Sequence, residues 1–173
     1  MSEQPKKMKI HTYPDPVLRA KAKPITDING DIKALTDNML HTMYGAPGIG
    51  LAANQVGSLD RVIVFDLKPK DKGNREPYIL INPEIVEREG EVKSEEACLS
   101  VIDYSAEVRR SAEVLVRGVD INGKPVEIEA DDLLAICLQH EIDHLNGVLF
   151  IDHISSLKRA LYKKRLKKIL NRE

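Results

Sequence analysis

His140-Glu141-Ile142-Asp143-His144 sets two imidazoles four residues apart with an acid between them in sequence. On a helix that spacing puts both rings on one face, one turn apart, where they can share a metal ion, and Glu141 can reach a water held there. The pattern is short, and its bland reading is a solvated helix face with incidental histidines and acids. The preceding run, Leu133-Leu134-Ala135-Ile136-Cys137-Leu138, is too apolar for a solvated helix. Buried histidines and acids need partners, and a metal supplies them.

A catalytic metal usually takes three protein ligands and leaves one position for water, so two histidines are not enough. The protease pattern H-E-x-x-H-x-x-G-x-x-H fails here at one position, because Gly147 is present but Phe150 stands where the third histidine would be. Asp152 and His153 follow closely, yet the chain must leave the helix at Gly147 before reaching them, which makes both weak candidates. Cys98, within Glu95-Glu96-Ala97-Cys98-Leu99-Ser100, is the stronger one. Its thiolate would complete a Cys-His-His set that favours zinc, iron(II), cobalt or nickel over magnesium or calcium, although a lone cysteine reads first as structural. Cys137 lies on the same helix inside the apolar run and reads as core beside the site. Gly48 to Gln55 carries two glycines among small residues, which suits either a close backbone approach to a ligand or a tight turn into a strand.

These residues need elements to hold them. Pro14, Pro16 and Pro24 force an extended, irregular lead-in. From Asp31 to Tyr44, Ile32, Leu35, Met39, Leu40 and Met43 recur at helical spacing until Gly45 and Pro47 stop them. Strands are predicted at Arg61 to Asp66, Tyr78 to Asn82, Ile85 to Val92, Val114 to Val119 and Pro125 to Glu129, with an exposed loop over Lys68 to Pro77 and a hairpin turn at Asn122-Gly123. Cys98 then falls between predicted strands. Asp131 or Asp132 can cap the apolar helix that reaches the two histidines, with Gly147 as its stop, and the first turns of that helix should be buried all round. A last helix, about residues 155–171, sets Leu157, Leu161, Leu166, Ile169 and Leu170 on one side and seven lysines and arginines on the other. The fold class expected is α+β: antiparallel sheets packed around a central buried helix carrying H-E-x-x-H, with an N-terminal helix and a basic C-terminal helix.

With 173 residues, 42% of them hydrophobic, the chain can form one domain with a sizeable core. Its 26 basic and 27 acidic side chains leave a net charge of -1, so no global field recruits nucleic acid or acidic membranes. The polar opening and the lack of any run near the ~20 apolar residues of a membrane span lead us to expect an unexported, cytoplasmic protein with both cysteines as free thiols.

Taken in order, Gly48 to Gln55, Glu96 to Ser100 and Gln139 to His144 resemble the three signature motifs of peptide deformylases, G-Φ-G-Φ-A-A-x-Q, E-G-C-L-S and Q-H-E-Φ-D-H, where Φ is apolar. The likeness to this bacterial-type family runs from Tyr13-Pro14-Asp15-Pro16 through Ile81-Asn82-Pro83 to Leu149-Phe150. It implies a single hydrolase domain over residues 1–173 that removes the formyl group from the N-terminal formyl-methionine of nascent polypeptides and releases formate. It implies Cys98, His140 and His144 as ligands of one divalent metal, iron(II) foremost with zinc, nickel or cobalt as substitutes. Glu141 is then the general base, and the Gln55 amide and the Leu99 backbone N–H stabilise charge on the formyl oxygen. Leu133, Ile136 and Cys137 are nominated to line the methionine pocket, Gly50 to let the substrate backbone approach, and Asp143 to support the site. The basic C-terminal helix is a solvated face on composition alone, and by resemblance a candidate contact with the ribosome.

Two positions depart from the family pattern. Ala97 replaces the usual glycine, which would displace Cys98 if that position required φ > 0. Ser105 stands where an arginine is usual. These departures keep two other readings open: a paralogue acting on another amide, and a weakly catalytic module binding nascent chains or ribosomes. The intact Gln55, Cys98, His140, Glu141 and His144 argue against the second.

Overall fold

The computed structural model of the protein describes residues 3–172. Its elements are α1 (Gly30–Gly45), β1 (Gly50–Ala52), β2 (Val62–Phe65), β3 (Tyr78–Glu89), β4 (Val92–Cys98), β5 (Val101–Arg110), β6 (Glu113–Val119), β7 (Pro125–Ala130), α2 (Asp132–Leu145) and α3 (Ser156–Leu170). Short 3-10 turns lie at Pro16–Arg19, Ala53–Val56 and Phe150–His153. Five strands form one antiparallel sheet in the order β1-β2-β3-β6-β7, and β4 pairs with β5 in a separate hairpin. The architecture is the α+β arrangement read from the sequence.

Alternation along the strands decides what each helix covers, because successive side chains point to opposite faces. Leu51, Val62, Val64 and Ile81 pack with Ile32, Met39 and Met43 of α1. Their neighbours Ala52, Ile63, Phe65 and Leu80 pack with Ala135, Leu138, Ile142 and Leu145 of α2. With both faces covered, β2 reads in sequence as an unbroken apolar run rather than an alternating one. A third cluster joins β5 to the C-terminal region through Val101, Ala106, Val108, Phe150, Tyr162 and Leu166.

Asn29 caps α1 by accepting the Asp31 and Ile32 amides. The buried stripe of α1 includes Thr36 and Thr42, while Leu35 and Leu40 lie half-buried at its edges. Helix α2 starts after Asp131, which occupies the cap position but makes no capping hydrogen bond through its side chain. The first turn is not buried all round: Leu133 is 49% exposed, at the mouth of the cavity described below. The helix ends at Leu145, and Gly147 follows at φ 76°. A Cβ on Gly147 would lie 2.5 Å from the Arg19 carbonyl oxygen, so both the turn and the space require glycine there.

The sequence predicts separate strands at 78–82 and 85–92, but β3 runs unbroken from Tyr78 through Pro83 to Glu89. Asn82 at φ 53° and a register shift between Ile81 and Glu84, followed by a second between Ile85 and Glu87, absorb a proline that cannot donate to the ladder. Gly90, at φ 69°, then turns the chain into β4. The β4–β5 hairpin has no counterpart among the predicted strands. Cys98 is therefore not between strands but the last residue of β4, one step before the turn at Leu99-Ser100. On α3 the apolar side is buried only in part: Leu157 and Leu161 are 68% and 59% exposed, and the helix leans on the core through Tyr162 and Leu166. Among the described residues no helix is long and apolar enough to cross a membrane.

Candidate metal centre

Helix α2 and the end of β4 bring three ligand-type atoms to one point. Cys98 Sγ lies 3.3 Å from His144 Nε2, which lies 3.2 Å from His140 Nε2. All three ligand-type atoms fall within 4.8 Å of one another. Tetrahedral coordination with bonds of about 2.0 Å to nitrogen and 2.3 Å to sulfur has edges of roughly 3.3–3.6 Å, so the cluster fits a single ion. Burial and the neighbouring His140 push His144 well below the ordinary imidazole range, leaving it neutral, the form that binds metals. Burial acts on His140 in the same sense, but contacts with Cys98 and Glu96 and the charge of Glu141 outweigh it and raise that ring.

A cavity of about 400 Å³ opens in front of the cluster, with Gly50, Gln55, Cys98, Leu99, Leu133, Ile136, Cys137, His140 and Glu141 on its walls. His144 sits behind it, 1% exposed. Glu141 is also buried, and burial lifts its carboxyl to about 7. One of its oxygens, Oε2, has no hydrogen-bond partner in the protein. A buried carboxylate poised near neutrality can take up and return a proton. A Cβ on Gly50 would lie 2.8 Å from Glu141 Oε1 and 2.9 Å from its Cγ, so this glycine makes room for the Glu141 side chain. Gln55 is anchored at both ends of its amide: Oε1 accepts the Ala52 amide at 2.9 Å, and Nε2 donates to Ser100 Oγ at 3.0 Å with Cys98 Sγ at 3.7 Å. Burial, then the charges of Glu141 and Glu96, raise the Cys137 thiol well above its usual range, and the side chain lies outside the ligand cluster.

The family model for polypeptide deformylase matches residues 7–160. The chain belongs to the polypeptide deformylase family. Bacterial relatives named peptide deformylase, an enzyme, include that of Thermodesulfovibrio yellowstonii, 54% identical over 92% of this chain and 96% of the relative, and that of Desulfotalea psychrophila, 49% identical over 93% and 95%. Among solved structures, a peptide deformylase from Legionella pneumophila is 42% identical with a TM-score of 0.89, covering 97% of this chain and 99% of that one. A peptide deformylase from Ehrlichia chaffeensis in complex with actinonin is 38% identical with a TM-score of 0.88, covering 94% and 97%.

Against the deformylase pattern, both departures become local questions. Ala97 lies within β4 and is not at positive φ, so its methyl group does not force Cys98 aside. Ser105 pairs with Ala97 across the hairpin and is exposed. Behind the cluster stands a network of which the sequence named only Asp143. His140 Nδ1 meets Glu96 Oε1 at 2.8 Å, and Arg110 grips Glu96 through Nε and a terminal nitrogen, each at 2.8 Å. The other terminal nitrogen of Arg110 donates to Asp143 Oδ2 at 2.6 Å, which also meets His153 Nε2 at 2.9 Å. Burial alone would raise Glu96, but Arg110 and His140 hold its carboxyl down at about 2. A carboxylate on the second ring nitrogen fixes the tautomer and aims the first one. Asp143 thus reaches Arg110 and His153. Asp143 is the member that the sequence nominates as support; Glu96 lies in the second motif, two residues before Cys98, without a role assigned from sequence, and Arg110 had no signal until the hairpin was known.

Proposed function

We propose that the chain is a peptide deformylase: a single hydrolase domain, residues 1–173, that hydrolyses the formyl amide of N-terminal formyl-methionine in nascent polypeptides and releases formate. The observation that carries this reading is Glu141 buried beside the Cys98, His140 and His144 atoms at the head of a walled cavity. Those three residues would hold one divalent ion, iron(II) by family resemblance, with nickel, cobalt or zinc as substitutes. When bound, the ion supplies Lewis acidity, polarising the formyl oxygen and lowering the pKa of water.

Glu141 takes the proton from the attacking water and delivers it to the departing amine as the carbon–nitrogen bond breaks. Gln55 donates from Nε2 to the oxygen on which negative charge develops, and the backbone N–H of Leu99 adds a second donor from the β4–β5 turn. Leu133, Ile136 and Cys137 receive the methionine side chain on the apolar side of the cavity. Gly50 serves substrate binding indirectly, by giving Glu141 its place. Asp143 and Arg110 keep Glu96, and through it His140, oriented.

The reading places the protein in the cytoplasm, at the ribosome, with the exposed Lys163, Lys164, Lys167 and Lys168 of α3 toward the ribosomal surface. It assigns no membrane or specific DNA partner. Formate release from formyl-Met-Ala-Ser is expected to far outpace acetate release from acetyl-Met-Ala-Ser when both are offered to anaerobically prepared, metal-loaded protein. Equal rates on the two peptides, or faster release of acetate, would assign the site to another amide.

A further inference from the structure

Asn54 occupies the position that the motif G-Φ-G-Φ-A-A-x-Q leaves open, and its side chain is fully buried. It belongs to the Ala53–Val56 turn together with Gln55, and the two neighbours reach in different directions. Gln55 donates to Ser100 beside Cys98, while Asn54 Nδ2 donates to the backbone carbonyl of His144, 90 residues away. One short turn is thereby tied to both elements that carry ligand-type residues.

The His144 carbonyl lies in the last turn of α2, where carbonyls lack intrahelical donors. The Gly147 amide donates to it at 3.0 Å, and the Asn54 side chain donates to it as well. The two histidines also differ in how they are held. His140 is fixed through its ring by Glu96, whereas His144 Nδ1 is buried with no partner in the protein. The placement of the His144 ring therefore depends on its backbone, and Asn54 is the side chain that holds that backbone against the turn carrying Gln55.

We propose that Asn54 is a positioning residue for His144, setting that ring relative to Cys98 and Gln55; this rests on the metal reading above. Losing such outer contacts typically weakens metal sites roughly 10- to 100-fold. The test loads wild-type protein and Asn54→Leu with cobalt(II), records the visible spectrum, follows cobalt release to a chelator, and measures the melting temperature of each metal-free protein. The proposal expects a shifted spectrum and release at least about tenfold faster from a variant whose metal-free form melts close to wild type. Asn54→Val carries the same test if the leucine variant does not fold. Wild-type spectrum and release in a folded variant overturn the proposal, as does failure of both variants to fold, which would make Asn54 a residue of the fold rather than of the site. Absence of any cobalt spectrum in wild-type protein would instead sink the metal reading itself.

Discussion

Gly50 shows how little room the chemistry leaves. The space of its missing side chain is filled by Glu141, and an added methyl group would meet three atoms of that side chain at 2.8–3.0 Å. Gly50→Ala is therefore expected to lower kcat by roughly 10- to 100-fold, as a displacement of about 1 Å at a catalytic group can, while the metal content per chain stays that of wild type. Steady-state kinetics beside metal analysis checks this, and an unchanged kcat would mean that Glu141 shifts without consequence. The sequence named His140, Glu141 and His144 because their spacing carries chemical meaning by itself, and Cys98 and Gln55 through the resemblance carried by the three motifs together. It did not show that Gly50 serves Glu141, nor that Asn54 and Glu96 hold the two histidines. Those contacts join residues far apart in the chain, and only the packed structure brings them together.

The β4–β5 hairpin and α2 form one unit through charged groups rather than apolar ones. Arg110 and Glu96, with side chains 4% and 5% exposed, face each other inside it, and Asp143 of α2 closes the link. Removing Arg110 would leave Glu96 a buried carboxylate without its cation, a change that costs about 3–5 kcal/mol in comparable pairs. Arg110→Ala should lose stability of that order in urea denaturation, and a loss below about 1 kcal/mol, the level of an exposed pair, would count against the network. This hairpin is also what sequence reading failed to place. The inward residues of β5 alternate as Ala106, Val108 and Arg110, and an arginine at the end of that series hides the alternation, whereas Val62 to Phe65 stands out as four apolar residues in a row. Helices α1, α2 and α3 were legible because caps, stops and 3.6-residue spacing are local signals. The exposed leucines of α3 were not, since a stripe says nothing about whether a partner within the chain covers it.

Across the chain, the ligand-type residues sit where separate parts meet: Cys98 at the end of the hairpin, His140 and His144 on the helix beneath the five-stranded sheet. An ion bound to all three stabilises the folded state by mass action, by about 2.7 kcal/mol at a hundredfold excess over Kd. Metal loading should accordingly raise the melting temperature of wild-type protein, and Cys98→Ala should abolish most of that rise. A full rise in Cys98→Ala would show that the ion binds elsewhere. The polypeptide deformylase family was legible from three short motifs because each motif supplies a different part of one constellation, and the fold has to gather them.

The most direct test of the account is formate release from formyl-Met-Ala-Ser by wild-type protein and Glu141→Gln, each carrying one metal per chain. The account predicts robust turnover by wild type and a loss of about 10²- to 10⁴-fold in the variant, the range of a missing general base, with metal retained. Comparable turnover by the metal-loaded variant, or none by the metal-loaded wild type, would contradict it.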